Sequence, residues 1–342
     1  MGERVRAVMV GCGGISHAWL TAARDIPELD MVGLVDLREE AASGRSQEFG
    51  LTSAVVSADL EAVLDELSPD AVFDCTPPEV HVDITVRALE HGCHVLGEKP
   101  LADSMANARR CLEAASKADR LFAVIQNRRY DPRIRRLRKL LISGELGKLT
   151  TLNSDFYIGA HFGGFRDQME HVLLMDMAIH TFDAARFISG ADPVSVYCKE
   201  WNPAGSWYDH DASAVAVFGI TGGLVYTYRG SWCSEGLNTT WECDWRAIGT
   251  QGSATWDGAE AYRAQKVSAT GGFHSDMADV VVPPAGPDTR SGGHAGLLRE
   301  FVDCVLHGGT PETVGTDNIK SLAMVLGAVE SAETGREVEV RL

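Results

Sequence analysis

Short β-branched runs alternate with helically spaced apolar patterns through the first 125 residues, and that alternation admits few folds. Strands are expected at Val5–Val10, Met31–Asp36, Ala71–Cys75, His94–Leu96 and Leu121–Ile125, with a weaker one at Ala54–Val56. Helical spacing fills the gaps at Ser16–Arg24, Arg38–Phe49, Leu60–Leu67, Val80–His91 and Ser104–Ala118. Asp59 and Asp103 stand where helix caps belong. Strand–helix–strand repetition requires a parallel sheet covered by helices on both faces, a doubly wound α/β domain.

The pattern changes after a helix that Ser143-Gly144 ends at Ile142. Strand-like stretches follow at Leu149–Tyr157, Val194–Glu200, Ala212–Ile220, Leu224–Ser231, Trp241–Ile248 and Ser253–Trp256. One helix, Leu173–Ile188, interrupts them, and two more, His294–Leu306 and Asn318–Thr334, close the chain. Runs of strands with few helices imply an α+β domain built on an open, mainly antiparallel sheet. The 342 residues therefore divide into two expected domains, 1–125 and 126–342. Segment 283–293, rich in proline and glycine, is expected to be a loop.

A net charge of -17 argues against a nucleic-acid partner, which would call for a basic surface. The basic cluster from Arg128 to Lys139 is expected to be the solvated face of an amphipathic helix. The 8 cysteines include no Cys-x-x-Cys pair and several sit in apolar runs, as free thiols in a reducing compartment do. No apolar run approaches the ~18 residues needed to span a bilayer. Glycines interrupt the apolar run after position 10, which disfavours a signal peptide, so a cytoplasmic location is expected.

The first expected strand leads into Gly11-Cys12-Gly13-Gly14-Ile15-Ser16, which opens a helix. In a Rossmann turn the first glycine permits the bend, the second admits a pyrophosphate, and a small third residue packs helix on strand. Gly11, Gly13 and Ser16 fill those places, and Asp36 ends the next strand, where a carboxylate accepts hydrogen bonds from an adenosine ribose. Repulsion of a 2′-phosphate at about 4 Å, roughly 1–4 kcal/mol, favours NAD over NADP, although Arg38 stands near enough to pair with such a phosphate. Ligands of open parallel sheets lie beyond the strand ends. Thr76-Pro77, His81, Glu98-Lys99 and Gln126 are placed there.

These motifs, with Glu98-Lys99-Pro100, Gln126-Asn127-Arg128-Arg129 and Asp176-x-x-x-His180-x-x-Asp183, resemble the glucose-fructose oxidoreductase / inositol dehydrogenase / MocA family over nearly the whole chain. The resemblance implies a Rossmann domain, an α/β domain whose open sheet carries the substrate face, and assembly into a homodimer or homotetramer. The sequence departs at His171-Val172 and Ala178, where the family often has glycine; these positions bear on substrate identity.

Oxidation of a secondary alcohol removes a hydride from carbon and a proton from oxygen, and histidine is the side chain suited to take that proton near neutrality. His180 is assigned as base, Lys99 as the cation that stabilises the developing alkoxide, and Asp176, sharing a helix face with His180, as substrate orienter. Tyr157, His161, Arg166 and His171 are candidate substrate contacts, Trp232, Trp241 and Trp245 candidate stacking rings, and His294 a residue that closes over the site. No metal is expected, since no tight His-x-x-x-His or Cys-x-x-Cys supports one. The leading reading is an NAD-dependent dehydrogenase of a sugar or cyclitol. A keto-sugar or sugar-nucleotide reductase, a redox-neutral enzyme that regenerates NAD each turnover, and a catalytically silent NAD-binding regulator stand beside it.

Overall fold

The computed structural model describes residues 4–286 and 290–342. Its first half alternates as the pattern requires: β1 (Val5–Val10), α1 (Ser16–Ala23), β2 (Leu29–Val35), α2 (Glu39–Glu48), β3 (Val55–Ser57), α3 (Leu60–Leu67), β4 (Ala71–Asp74), α4 (Pro78–Glu90), β5 (His94–Gly97), α5 (Met105–Ala118) and β6 (Phe122–Val124). The second half runs α6 (Pro132–Ile142), β7 (Leu149–Tyr157), a wide helical turn (Leu173–Ala178), α7 (Ile179–Ser189), β8 (Pro193–Trp201), β9 (Ser213–Ile220), β10 (Leu224–Ser231), β11 (Asp244–Gly249), β12 (Gly252–Trp256), β13 (Tyr262–Ala269) and β14 (Asp276–Asp279). It closes with α8 (His294–His307), α9 (Gly315–Thr334) and β15 (Val338–Glu339).

Two units result: Met1–Tyr130 with Asp288–Leu322, and Asp131–Pro287 with Ala323–Leu342. In the first, a six-stranded sheet runs in the order β3-β2-β1-β4-β5-β6, every pair parallel. The strand order reverses beside β1, which puts the crevice of this fold at the carboxyl ends of β1 and β4. Helix α8 groups with this unit, although it lies within the expected 126–342 stretch. Its Leu297, Leu298, Phe301 and Val302 join Trp19 and Phe73 in one core, and Phe301 meets Phe73 edge-on at 6.1 Å. Each such ring buried contributes about 1.5–3 kcal/mol, and no local pattern reveals which sheet a late helix covers.

The second unit holds a nine-stranded sheet, order β14-β13-β12-β11-β7-β10-β9-β8-β15. Neighbours are antiparallel except β7 and β10, which run parallel. Alternation along β7 buries Leu152, Ser154 and Phe156 on one face. That face is covered by α7, whose Phe182 packs edge-on against Phe218 at 4.8 Å and Tyr228 at 5.3 Å.

Several expectations are corrected. Ser104, not Asp103, caps α5, accepting from Asn107 N at 3.2 Å; Asp59 does cap α3. The basic cluster is not simply a solvated face, because Arg129 and Arg135 are buried. Arg129 pairs with Asp317 at 2.9 Å, while Arg135 and Arg138 lie over the Phe187 ring at 5.3 and 4.5 Å. Arginine stems and planar heads cover aromatic surface as well as face water. Strand β11 begins at Asp244 rather than Trp241, since Cys243 takes a left-handed conformation (φ 67°) that breaks extension. Strands β13, β14 and β15 went unread. Of the loop expected at 283–293, residues 287–289 lie outside the described residues.

Candidate active site

In the first unit the glycine turn is pressed against the β4–α4 connection. Gly11 has φ +88°, and a Cβ there would sit 2.7 Å from the carbonyl carbon and oxygen of Cys75, so only glycine fits. Before Gly13 and Gly14 the space is open, with nothing within 4 Å of an added Cβ. Buried Ser16 donates Oγ–H to the Gly13 carbonyl at 2.6 Å and starts α1. Asp36 accepts from Cys12 N at 2.8 Å through Oδ2 and from Arg38 N at 2.9 Å through Oδ1. Each carboxylate oxygen keeps a lone pair for a further donor. The Arg38 guanidinium is exposed, its Nε 4.0 Å from Asp36 Oδ1. These residues fit a dinucleotide: open glycine backbone at a helix start for the phosphates, a fixed carboxylate for the ribose.

Arg45 was missed. From α2 it donates to Ser16 Oγ at 3.0 Å and to the Gly13 carbonyl at 2.8 Å, setting a cation beside the turn. Cys12 is buried, and burial, with Asp36 nearby, pushes its thiol up to about 12, so it is inert.

At the β4 end, Asp74 is fully buried and organises its neighbours. Thr76 Oγ1 donates to Asp74 Oδ1 at 2.5 Å, and His81 Nδ1 lies 3.1 Å from Asp74 Oδ2. His81 itself is buried, so it braces the Thr76-Pro77 turn from beneath. Glu98 is buried too: Oε1 accepts from Trp19 Nε1 at 2.7 Å and Oε2 from Lys99 N at 3.1 Å. Burial is the main cause that raises its carboxyl above the ordinary range. Glu98 thus fixes the backbone from which Lys99 projects, and the Lys99–Pro100 bond is cis. Gln126 is buried at the end of β6. His294 starts α8, its Nδ1 3.1 Å from Asn127 Nδ2, and burial lowers its pKa, favouring the neutral ring.

In the second unit the parallel pair β7 and β10 delivers two segments to one end of the sheet. They stay together past the strands, Ile158 N donating to Ser231 O at 3.1 Å and Ala160 N to Trp232 O at 3.0 Å. Arg166, in the first of them, donates from Nε to Asp176 Oδ2 at 2.8 Å and from a terminal nitrogen to Oδ1 at 3.4 Å. Asp176 lies in the wide turn, whose hydrogen bonds run i→i+5, a feature frequent at functional sites. His180, half-buried, stands in the first turn of regular α7. Asp176 and His180 therefore stand on either side of a helix junction rather than within one regular helix, so the i, i+4 face-sharing expected of a regular helix does not apply unchanged. Asp183 is buried and 3.8 Å from Arg186.

The other candidate contacts separate. His171 has a left-handed backbone (φ 50°), with Nδ1 2.6 Å from Glu200 and Nε2 3.5 Å from Glu333; it holds the entry to the wide turn. Its pKa is raised, chiefly by the hydrogen bond to Glu200. Exposed His161 stacks on Trp207 at 3.7 Å and meets Glu235 at 2.9 Å. Tyr157 alternates with buried Phe156, so it faces away from the side that α7 covers. Trp232 and Trp245 are buried, whereas Trp241 is half exposed. Among the described residues no helix is long and apolar enough to cross a membrane.

Residues 5–126 match the model of an oxidoreductase family with an NAD-binding Rossmann fold, and residues 134–255 match that of the GFO/IDH/MocA C-terminal domain. The chain belongs to the Gfo/Idh/MocA oxidoreductases. As a member it is an NAD-binding oxidoreductase, with its NAD-binding Rossmann fold in residues 5–126. It is 27% identical to the inositol 2-dehydrogenase of Rhizobium meliloti over 98% of this chain and 99% of that one. It is 26% identical to the D-apiose dehydrogenase of Paraburkholderia graminis, over 99% and 90%. Among solved structures, an oxidoreductase from Agrobacterium radiobacter in complex with NAD+, L-tartaric acid and magnesium shares the fold at TM-score 0.85 and 22% identity, over 98% of each chain. A levoglucosan dehydrogenase in complex with NADH and L-sorbose does so at TM-score 0.84 and 19%, over 99% and 100%.

Proposed function

We propose that this Gfo/Idh/MocA member oxidises a secondary alcohol of a sugar or cyclitol. The observation that carries this reading is the wide turn that presents Asp176, fixed by Arg166, just ahead of His180 in a chain with an NAD-binding domain. Bound NAD+ supplies the hydride acceptor. His180 accepts the hydroxyl proton, since a neutral imidazole is the base suited to pH near 7. Lys99, set by Glu98, stabilises the alkoxide oxygen as charge develops. Asp176 accepts a hydrogen bond from a second hydroxyl, and Arg166 alongside offers donors, a pairing that matches vicinal diols. The names of relatives that span nearly the whole chain, inositol and apiose dehydrogenases, support this substrate class.

The test is NADH formation at 340 nm with a panel of cyclitols, aldoses and glycosides. His180→Ala and Lys99→Met should each lower kcat by roughly 10²–10⁴ while NAD binding stays near wild type. Wild-type turnover in either variant removes that residue from its assigned role. Binding of NAD with no turnover of any alcohol rejects the dehydrogenase reading.

A further inference from the structure

Around Arg166 the second unit builds a surface that oxidation of a single sugar ring does not require. Gly163 and Gly164, at φ 69° and 70°, turn the chain so that two phenylalanines flank the arginine. Its guanidinium lies 4.9 Å from the Phe162 ring centre and 4.8 Å from that of Phe165. Phe162 in turn meets Trp232 edge-on at 5.1 Å and Trp241 at 6.5 Å. Trp232 is buried and backs the row, while Phe162, Phe165 and Trp241 are 42%, 67% and 49% exposed. The row starts at Asp176, through its pair with Arg166, and runs outward to Trp241.

Three half-exposed rings with a cation between them are too small for a protein interface, which needs about 800 Å² per partner. They are also joined to the residue that orients the substrate, as a separate docking surface would not be. What they match is one flat ring: the apolar C–H face of a pyranose, or an aryl group, against Trp241 and Phe162, with Arg166 donating to ring substituents. We propose that this row is a subsite for a second ring, so that the substrate is a glycoside whose aglycone is itself a ring. This rests on the dehydrogenase reading above. In the step the C–H bond of one secondary alcohol breaks with its electron pair passing to NAD+, the hydroxyl proton passes to His180, and a ketone forms. The glycosidic bond stays intact.

The experiment compares kcat/KM for a free aldose, its methyl glycoside, its phenyl glycoside and a disaccharide, in wild type, Trp241→Ala and Phe165→Ala. Phe165 is exposed enough for its variant to fold. The phenyl glycoside or the disaccharide should exceed the methyl glycoside about tenfold, through KM, and the ratio should fall toward one in Trp241→Ala. The arm that gains shows whether the second ring is aryl or sugar. Equal kcat/KM across the series, or a ratio that neither variant changes, overturns the subsite while leaving the dehydrogenase reading in place. Calorimetric titration of the phenyl glycoside measures the row directly. Aglycone-dependent binding that Trp241→Ala abolishes, without NADH from any sugar, supports the subsite and overturns the dehydrogenase instead.

Discussion

Arg166 holds Asp176 side-on, Nε donating to Oδ2 at 2.8 Å and a terminal nitrogen to Oδ1 at 3.4 Å. The carboxylate is thereby fixed in direction, and its side chain is only 14% exposed. Removing the guanidinium takes two charge-assisted donors from that little-exposed carboxylate. Arg166→Met is expected to raise KM for the alcohol roughly 10–100-fold with a smaller loss in kcat, the scale of a lost charge-assisted pair. Arg166→Lys should recover only part, because a point charge cannot reproduce two parallel donors. Steady-state kinetics of the two variants checks this; equal KM in wild type and Arg166→Met would show that Asp176 needs no such support.

Asp36 carries two loads that one substitution separates. It accepts from Cys12 N and so shapes the glycine turn, and it has lone pairs left for a ribose. Asp36→Ala should weaken NAD binding and relax the NAD over NADP preference by about five- to several-hundred-fold, from the repulsion of roughly 1–4 kcal/mol between carboxylate and 2′-phosphate. Dissociation constants for both dinucleotides decide it. An unchanged ratio means the carboxylate serves the turn alone.

How far the sequence carries depends on the range of the interaction concerned. The bounds of β1, α3, β7 and β10 are legible because burial on one or both faces writes a period into neighbouring residues. The hairpin of β13 and β14 is not: Arg263, Gln265, Met277 and Asp279 face solvent, and only scattered residues such as Ala264 are buried. An edge strand with so little buried surface leaves almost no pattern. The NAD-binding fold was legible from the glycine turn and the strand that follows it. The wide turn that carries Asp176 was not, since nothing in Leu173–Ala178 distinguishes i→i+5 from i→i+4 bonding. Arg45, Trp19 and Asp74 were invisible for another reason, as each acts through a contact far away in sequence or beneath the surface.

His171 and Glu200 make stability depend on pH. Both partners bind protons more tightly in the fold: His171 chiefly through its hydrogen bond to Glu200, Glu200 chiefly through burial. The His171 shift decides behaviour near neutrality. Its contribution is complete below the unfolded histidine value, about 6.5, and is lost as pH rises through the higher folded value. Glu200 acts in the same sense at lower pH, and Glu333, 3.5 Å from the ring, adds to the pull on His171. The melting temperature should therefore fall as pH rises above about 6.5. His171→Gln should flatten that dependence and cost about 1–3 kcal/mol at pH 6 by leaving Glu200 short of a partner. A His171→Gln profile parallel to wild type would assign the dependence to other groups.

Two glycines separated by a single residue should fail in different ways when a methyl is added. At Gly11 the Cβ would meet the Cys75 carbonyl at 2.7 Å and Thr76 N at 2.9 Å, both backbone, and the residue has φ +88°. Neither neighbour can yield without moving β4, so Gly11→Ala is expected to cost about 2–4 kcal/mol of stability, visible as a lowered melting temperature without any cofactor. At Gly13 the added methyl meets nothing within 4 Å and the backbone is not left-handed. Gly13→Ala should melt within a few degrees of wild type, because an Ala in an allowed conformation is nearly neutral or mildly stabilising. It should nevertheless bind NAD more than about tenfold more weakly, since the methyl occupies the approach a pyrophosphate takes to the turn. Melting curves and NAD titrations on the two variants separate folding from binding. Normal NAD affinity in Gly13→Ala would show that the phosphates approach elsewhere on the turn.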